Sequence, residues 1–296
     1  MKSKFIAQAE DRALLSRMFS STVMSELAKS GRSKLLGELL REVSNSARTS
    51  LNGQLYDCFD VVYEYLMLEY RNEYVYKNAL ANKVLIGRHS PRTASMFTEF
   101  RVLDSKADVL ILNGTSHIYE IKTELDGLDR LEKQLADYQR FAEFTHVVTT
   151  EAHASKFIDT IDPTVGILLL SDRYTLSSCR KASSVKDRVE AAVIYESLRR
   201  PEAIEIVESL GGGVPEVPNG LFYRECLKSF AELNAQACHD EMVAVVKRRN
   251  TDNDKVDFIH RLPTSLKAVG ATSKLNRKQK ITFLESLRCD ISECLH

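Results

Sequence analysis

Residues 106–138 read KADVLILNGTSHIYEIKTELDGLDRLEKQLADY, and their changing periodicity decides the fold. Ala107–Leu112 and His117–Lys122 alternate as strands, and Asn113-Gly114 marks the turn between them. From about Leu128 to Phe144 the period becomes helical, with Leu128, Leu131, Leu135 and Ala142 on one stripe. The turn length sets which side chains meet. A two-residue turn pairs Leu112 with Thr115 and sends Asp108 and Glu120 to opposite faces. A three-residue loop, Asn113-Gly114-Thr115, pairs Leu112 with Ser116, Leu110 with Ile118, Val109 with Tyr119 and Asp108 with Glu120. Both hairpin faces then stay largely apolar, as a sheet covered by helices requires.

Working outward, Phe97–Leu103 reads as a preceding strand. After the helix come strands at His146–Thr149 and Val165–Leu170, with a short helix at Ala152–Ile161 between them. Tyr174–Cys179 is a further possible strand. Residues 5–50 and 54–80 show helical spacing, the second rich in tyrosine, and Gly31 divides the first. Arg180–Arg188 reads as a basic linker. Beyond it the helical stretches are Arg188–Arg199, Pro201–Leu210, Leu221–Arg248 and Arg277–Arg288. The expected class is α/β, a mixed central sheet flanked by helices, with helical N-terminal and C-terminal additions. The expected regions are 1–50, helical; 51–182, the α/β core; and 183–296, helical.

The chain has 296 residues and is 44% hydrophobic, enough to bury one large or two small cores. Its 41 basic and 41 acidic residues cancel, so nucleic-acid contact would need a local groove rather than global charge. No apolar run reaches membrane-span length, and the N-terminus lacks the apolar segment of a secretory signal, so a cytoplasmic protein is expected. The six cysteines have no metal-ligand spacing and read as reduced thiols. The base-rich N-terminal stretch and Lys247-Arg248-Arg249 have two readings: solvated helix faces, or contacts to phosphates or a partner.

Asp108 and Glu120-Ile121-Lys122 carry the candidate chemistry. Glu120 and Lys122 share a strand face, and the three-residue loop brings Asp108 to them. Two carboxylates this close repel unless a cation lies between them, and a hard cation such as Mg2+ or Mn2+ suits oxygen ligands. The Ile121 backbone oxygen is a further candidate ligand. Such an ion activates water and offsets charge on a phosphodiester, and Lys122 adds a positive charge. Gln134 and Tyr138, four apart, share a helix face where an amide and a phenol can contact a phosphate or base. The bland alternatives are strand-end charges for the first set and a surface Gln with a half-buried Tyr for the second. His117 falls opposite Glu120 and reads as packing.

In order and spacing, Asp108, Glu120-x-Lys122 and Gln134-x-x-x-Tyr138 resemble the PD-(D/E)XK nuclease superfamily, in its Q-x-x-x-Y branch with RecB-type domains. The likeness spans about residues 55–170. The E-I-K context and C-terminal helices are also similar to bacterial and phage nuclease-like proteins. The resemblance implies a restriction-endonuclease-like core and metal-dependent phosphodiester hydrolysis, DNA first among substrates, leaving 5′-phosphates. It implies that Asp108 and Glu120 bind Mg2+, that Lys122 is catalytic, and that Gln134 and Tyr138 position substrate. The family's further acid would be Glu73, then Glu69, or Glu99. Ala107 stands where the family has proline. The rival expectation is an inactive nuclease fold that binds nucleic acid or protein in phage–host conflict. A homodimer or a protein partner through the helical regions is compatible with either.

Overall fold

The computed structural model describes residues 11–46, 51–124, 126–250 and 252–294. The outer parts of the expected 5–50 helical stretch, 5–10 and 47–50, lie outside them. In chain order come α1 (Asp11–Arg17), α2 (Ser21–Ser30), α3 (Lys34–Ser46), α4 (Leu55–Glu69), α5 (Glu73–Leu80) and a π-helical turn, Ala81–Ile86. Then follow β1 (Ser95–Val102), β2 (Ser105–Leu112), β3 (Ser116–Ile121), α6 (Leu131–Gln139), β4 (Phe144–Thr149), α7 (Glu151–Ala154), β5 (Gly166–Leu170) and β6 (Leu176–Arg180). The rest is helical: α8 (Ala191–Glu196), α9 (Arg200–Ser209), α10 (Asn219–Ala231), α11 (Ala235–Lys247), α12 (Asn253–Arg261), α13 (Lys267–Thr272), α14 (Arg277–Ser286) and α15 (Ile291–Cys294).

Two stretches that read as single helices are each broken by a polar cap. Asn72 accepts from Val75 N and starts α5 after a break at Tyr70. Asn234 does the same for α11 through Ala237 N. Both supply the side-chain oxygen that a helix start lacks. Gly31 ends α2 in the left-handed conformation, φ 75°, where a side chain is disfavoured.

The chain forms two compact units that do not follow its linear order. One comprises the described residues of Met1–Gly87, Asp172–Tyr174 and Asp252–His296 and is helical. The other, Arg88–Ser171 with Thr175–Thr251, holds the sheet and α6–α11. Residues 51–182 and 183–296 are therefore each shared between the units.

The sheet is mixed, its strands adjacent in the order β1 to β6. β1, β2 and β3 are antiparallel, β3, β4 and β5 are parallel, and β6 returns antiparallel. One core joins Leu110, Ile118, Val147 and Ile167 to Leu135 and Phe141 near α6, and to Ile194, Ile206, Phe230 and Val246 of the later helices. The chain is thus an α/β protein with helices flanking a mixed sheet and helical additions. The segment 180–188 is tied down rather than loose. Arg180 donates to the carbonyls of Ile158, Asp162 and Val165, and Arg188 pairs with Asp162 at 2.6 Å.

The β2–β3 loop has the odd length, since Leu112 pairs with Ser116, Leu110 with Ile118 and Val109 with Tyr119. The ladder then stops one step before Asp108 and Glu120. Across β1 and β2, Phe97 pairs with Leu110 and Phe100 with Ala107, and all four pack on the same core. Core-facing positions thus step by three rather than two in both strands at Glu99 and Asp108. Glu99 takes up the kink with φ 55°, a sparsely populated region for a side-chain-bearing residue.

Candidate active site

Three strands deliver three acids to one row. Extending the ladders places Glu99 opposite Asp108 and Asp108 opposite Glu120. The kink turns Asp108 toward the edge of β3, where its Oδ2 accepts from Ile121 N at 2.7 Å. N–H and C=O of one strand residue point to the same edge, so the Ile121 carbonyl is directed toward β2 as well. Lys122 N instead donates to Val148 O on β4, at 3.0 Å. Thr149 Oγ1 donates to the Lys122 carbonyl at 2.6 Å and pins the strand end.

Glu120, Lys122, Gln134 and Tyr138 form one network. Lys122 Nζ donates to Glu120 Oε1 and to Gln134 Oε1, both at 2.9 Å. Tyr138 OH donates to Glu120 Oε2 at 2.8 Å. The four-residue spacing on α6 is what lets amide and phenol reach the same strand end. Glu120 is 2% exposed and Lys122 8%. Burial raises the Glu120 pKa, against the opposing charge of Lys122 and the hydrogen bonds from Lys122, Tyr138 and Gln134. Burial, then the neighbouring Glu120 carboxylate, pushes the Tyr138 phenol well above its ordinary range, so it stays a donor.

The remaining acids belong to different units. Glu99 offers a carboxylate oxygen within 4.8 Å of one from Asp108 and also pairs with Lys106 at 2.5 Å. Glu73 and Glu69 belong to the helical unit, where Glu73 pairs with Lys77 and Glu69 with Arg12. For a hard cation the donor set fits chemically. The carboxylates of Asp108, Glu120 and Glu99 and the Ile121 carbonyl, on three neighbouring strands, are all oxygen donors of the kind such an ion takes.

A cleft of about 260 Å³ opens on Lys122 and Gln134, walled by Asp126, Gly127, Asp129 and Arg130. Asp126 accepts from Thr123 N and Oγ1 at 2.8 and 2.7 Å, which folds this connection. The sequence pattern assigns no role to residues 123–127 and starts the helix at about Leu128, whereas α6 begins at Leu131. The only hint was the D-G-L-D-R composition of a turn next to a helix start.

The other basic run is engaged: Arg248 pairs with Glu205, and Arg249 with Glu202 while lying over the Phe100 ring. His117 lies away from Glu120 in a stack with Phe144, Tyr119 and His146. None of the six cysteines is disulfide-bonded. Among the described residues no helix is long and apolar enough to cross a membrane.

Fold and site together define an α/β protein in which the end of β3 and the facing side of α6 gather acids, an ammonium, an amide and a phenol. Residues 67–273, over two thirds of the chain, match the family described as Bacteriophage P4 protein cII, and the protein belongs to that family. No curated protein matches it. Among solved structures it is similar to the SPO1766 protein of unknown function from Silicibacter pomeroyi, at 16% identity and a TM-score of 0.26, over 42% of this chain and 86% of that one.

Proposed function

We propose that the protein is a metal-dependent nuclease of the PD-(D/E)XK kind that hydrolyses phosphodiester bonds in DNA. The observation that carries this reading is the Glu120–Lys122–Gln134–Tyr138 network beside Asp108. Four of the five residues singled out in the sequence are joined by hydrogen bonds, and Asp108 bonds to the neighbouring Ile121 amide. Asp108, Glu120 and the Ile121 carbonyl would hold Mg2+ or Mn2+, with Glu99 alongside. When bound, such an ion activates water and stabilises charge on the phosphoryl oxygens. Lys122, held between Glu120 and Gln134, presents its ammonium toward the cleft and stabilises the same developing charge. Tyr138 fixes the orientation of Glu120, and Gln134 that of Lys122. In this reading the protein acts in the cytoplasm.

One observation favours a second reading. Both Glu120 oxygens already accept hydrogen bonds, from Lys122 and Tyr138. Such a closed network also suits a nuclease fold kept for binding nucleic acid or a protein without cleavage. Turnover separates the two. Purified protein with Mg2+ is expected to cleave plasmid or single-stranded DNA. EDTA, Asp108→Ala, Glu120→Ala and Lys122→Ala should each abolish cleavage. Metal-dependent cleavage that survives all three substitutions would defeat the site, and binding without cleavage by the wild type would establish the second reading.

A further inference from the structure

The cleft beside Lys122 carries a cation, Arg130, that the cleavage chemistry does not use. Lys122 lies at its buried end with 8% of its surface exposed, so anything contacting this ammonium from the cleft must come down to it. Gln134 shares that end. Arg130, just before α6, is exposed and lines the same cleft. Among the described residues nothing hydrogen-bonds or pairs with its guanidinium. Asp126 is committed to Thr123. Asp126 and Asp129 together offset the two cations, so attraction depends on a directed contact rather than on bulk positive charge. A guanidinium presents a fork that matches phosphate oxygens.

Size narrows the ligand. About 260 Å³ falls just under the small-ligand range of roughly 300–1,000 Å³. That is room for one nucleotide and not for a stacked pair. Extruding a base from a duplex costs a few kcal/mol, and least where the strand is already single. Resting on the nuclease reading of the neighbouring site, we propose that this cleft seats one unpaired nucleotide of a single strand. The Arg130 guanidinium grips its backbone phosphate, and Lys122 and Gln134 meet it at the buried end. Arg130 is then a positioning and specificity residue.

The test is fluorescence anisotropy with a short fluorescein-labelled oligo(dT), alone and annealed to its complement, in EDTA over a salt series. The wild type is expected to bind the single strand more tightly. Arg130→Gln should weaken that binding about 5- to 10-fold and reduce the slope of log Kd against log salt by about 0.7, the loss of one single-strand phosphate contact. Thermal stability should be unchanged, since Arg130 is exposed. An unchanged slope in Arg130→Gln, or duplex bound as tightly as single strand, overturns the proposal. Cleavage assays on the same wild-type protein keep the two readings apart. Arg130-dependent binding without cleavage removes the nuclease and leaves the subsite. Cleavage with an unaltered Arg130→Gln slope removes the subsite alone.

Discussion

Lys122→Met is expected to lower DNA cleavage by at least about 100-fold, the scale for losing one preorganised charge-stabilising group, and to destabilise the fold in a pH-dependent way. Glu120 is 2% exposed, and Lys122 is the cation it pairs with at 2.9 Å. Removing one partner of a buried pair leaves the other uncompensated, at a cost of about 3–5 kcal/mol. Glu120 can escape part of that cost by taking a proton, and burial already raises its pKa. A raised folded-state pKa gives stability that is fully present below the unfolded value and is lost as pH rises through the folded one. The deficit of Lys122→Met relative to wild type should therefore be small near pH 5 and grow toward pH 8 in urea denaturation. Adding Glu120→Leu should recover most of the stability and none of the cleavage, because an apolar replacement of a buried pair is often neutral or better. A deficit independent of pH, or a double variant as unstable as the single one, would show that the two groups are not a buried pair.

Acid should weaken the sheet unit through a different pair. His117 Nδ1 and His146 Nε2 lie 3.2 Å apart in the aromatic stack, so at least one ring nitrogen must carry the proton and the pair works only while largely neutral. Burial, with smaller contributions from neighbouring positive groups, lowers His117 to about 4 and His146 to about 3. In the unfolded chain both titrate near the ordinary value of about 6.5. A depressed folded-state pKa gives stability present above the unfolded value and lost as pH falls toward the folded one. Between pH 6.5 and pH 5 the two rings go from about half to almost fully protonated in the unfolded chain while the folded chain refuses the protons, a loss of about 3 kcal/mol for the two rings together. His117→Phe keeps a ring against Phe144, 4.8 Å away in the native stack, and removes one titration. Its loss of stability over this pH range should be about half that of the wild type. An unaltered pH dependence would mean that His117 is charged, or exposed, in the folded protein.

What could be read before folding follows from locality. The β2–β3 register was legible because a loop of one or another parity has only two outcomes, and only one keeps both faces apolar and Asp108 beside Glu120. The meeting of Lys122 with Gln134, and of Glu120 with Tyr138, followed from a period of two on a strand and of four on a helix. Strand positions were found within one or two residues by the same periodicities. Glu99 was harder. Its kink is shared between two strands and shows only when the core-facing partners Phe97, Phe100, Ala107 and Leu110 are seen together. That kink turns Asp108 to the Ile121 amide, which no spacing rule contains. The breaks at Asn72 and Asn234 were present as capping residues but hidden in long apolar patterns. The grouping of α4, α5 and α12–α14 into one unit depends on contacts far apart in sequence, as in Asn78 Nδ2 donating to Thr264 O at 2.9 Å. Arg130 had no pattern of its own, since a lone arginine before a helix is usually a solvated charge.

The most direct measurement of the central claim is anomalous scattering from a crystal soaked in Mn2+ with a short oligonucleotide. A peak is expected within about 2.2 Å of oxygens from both Asp108 and Glu120, with the Ile121 carbonyl beside it. A well-occupied peak elsewhere, or none at saturating Mn2+ while Glu120 stays bonded to Lys122 and Tyr138, would contradict it.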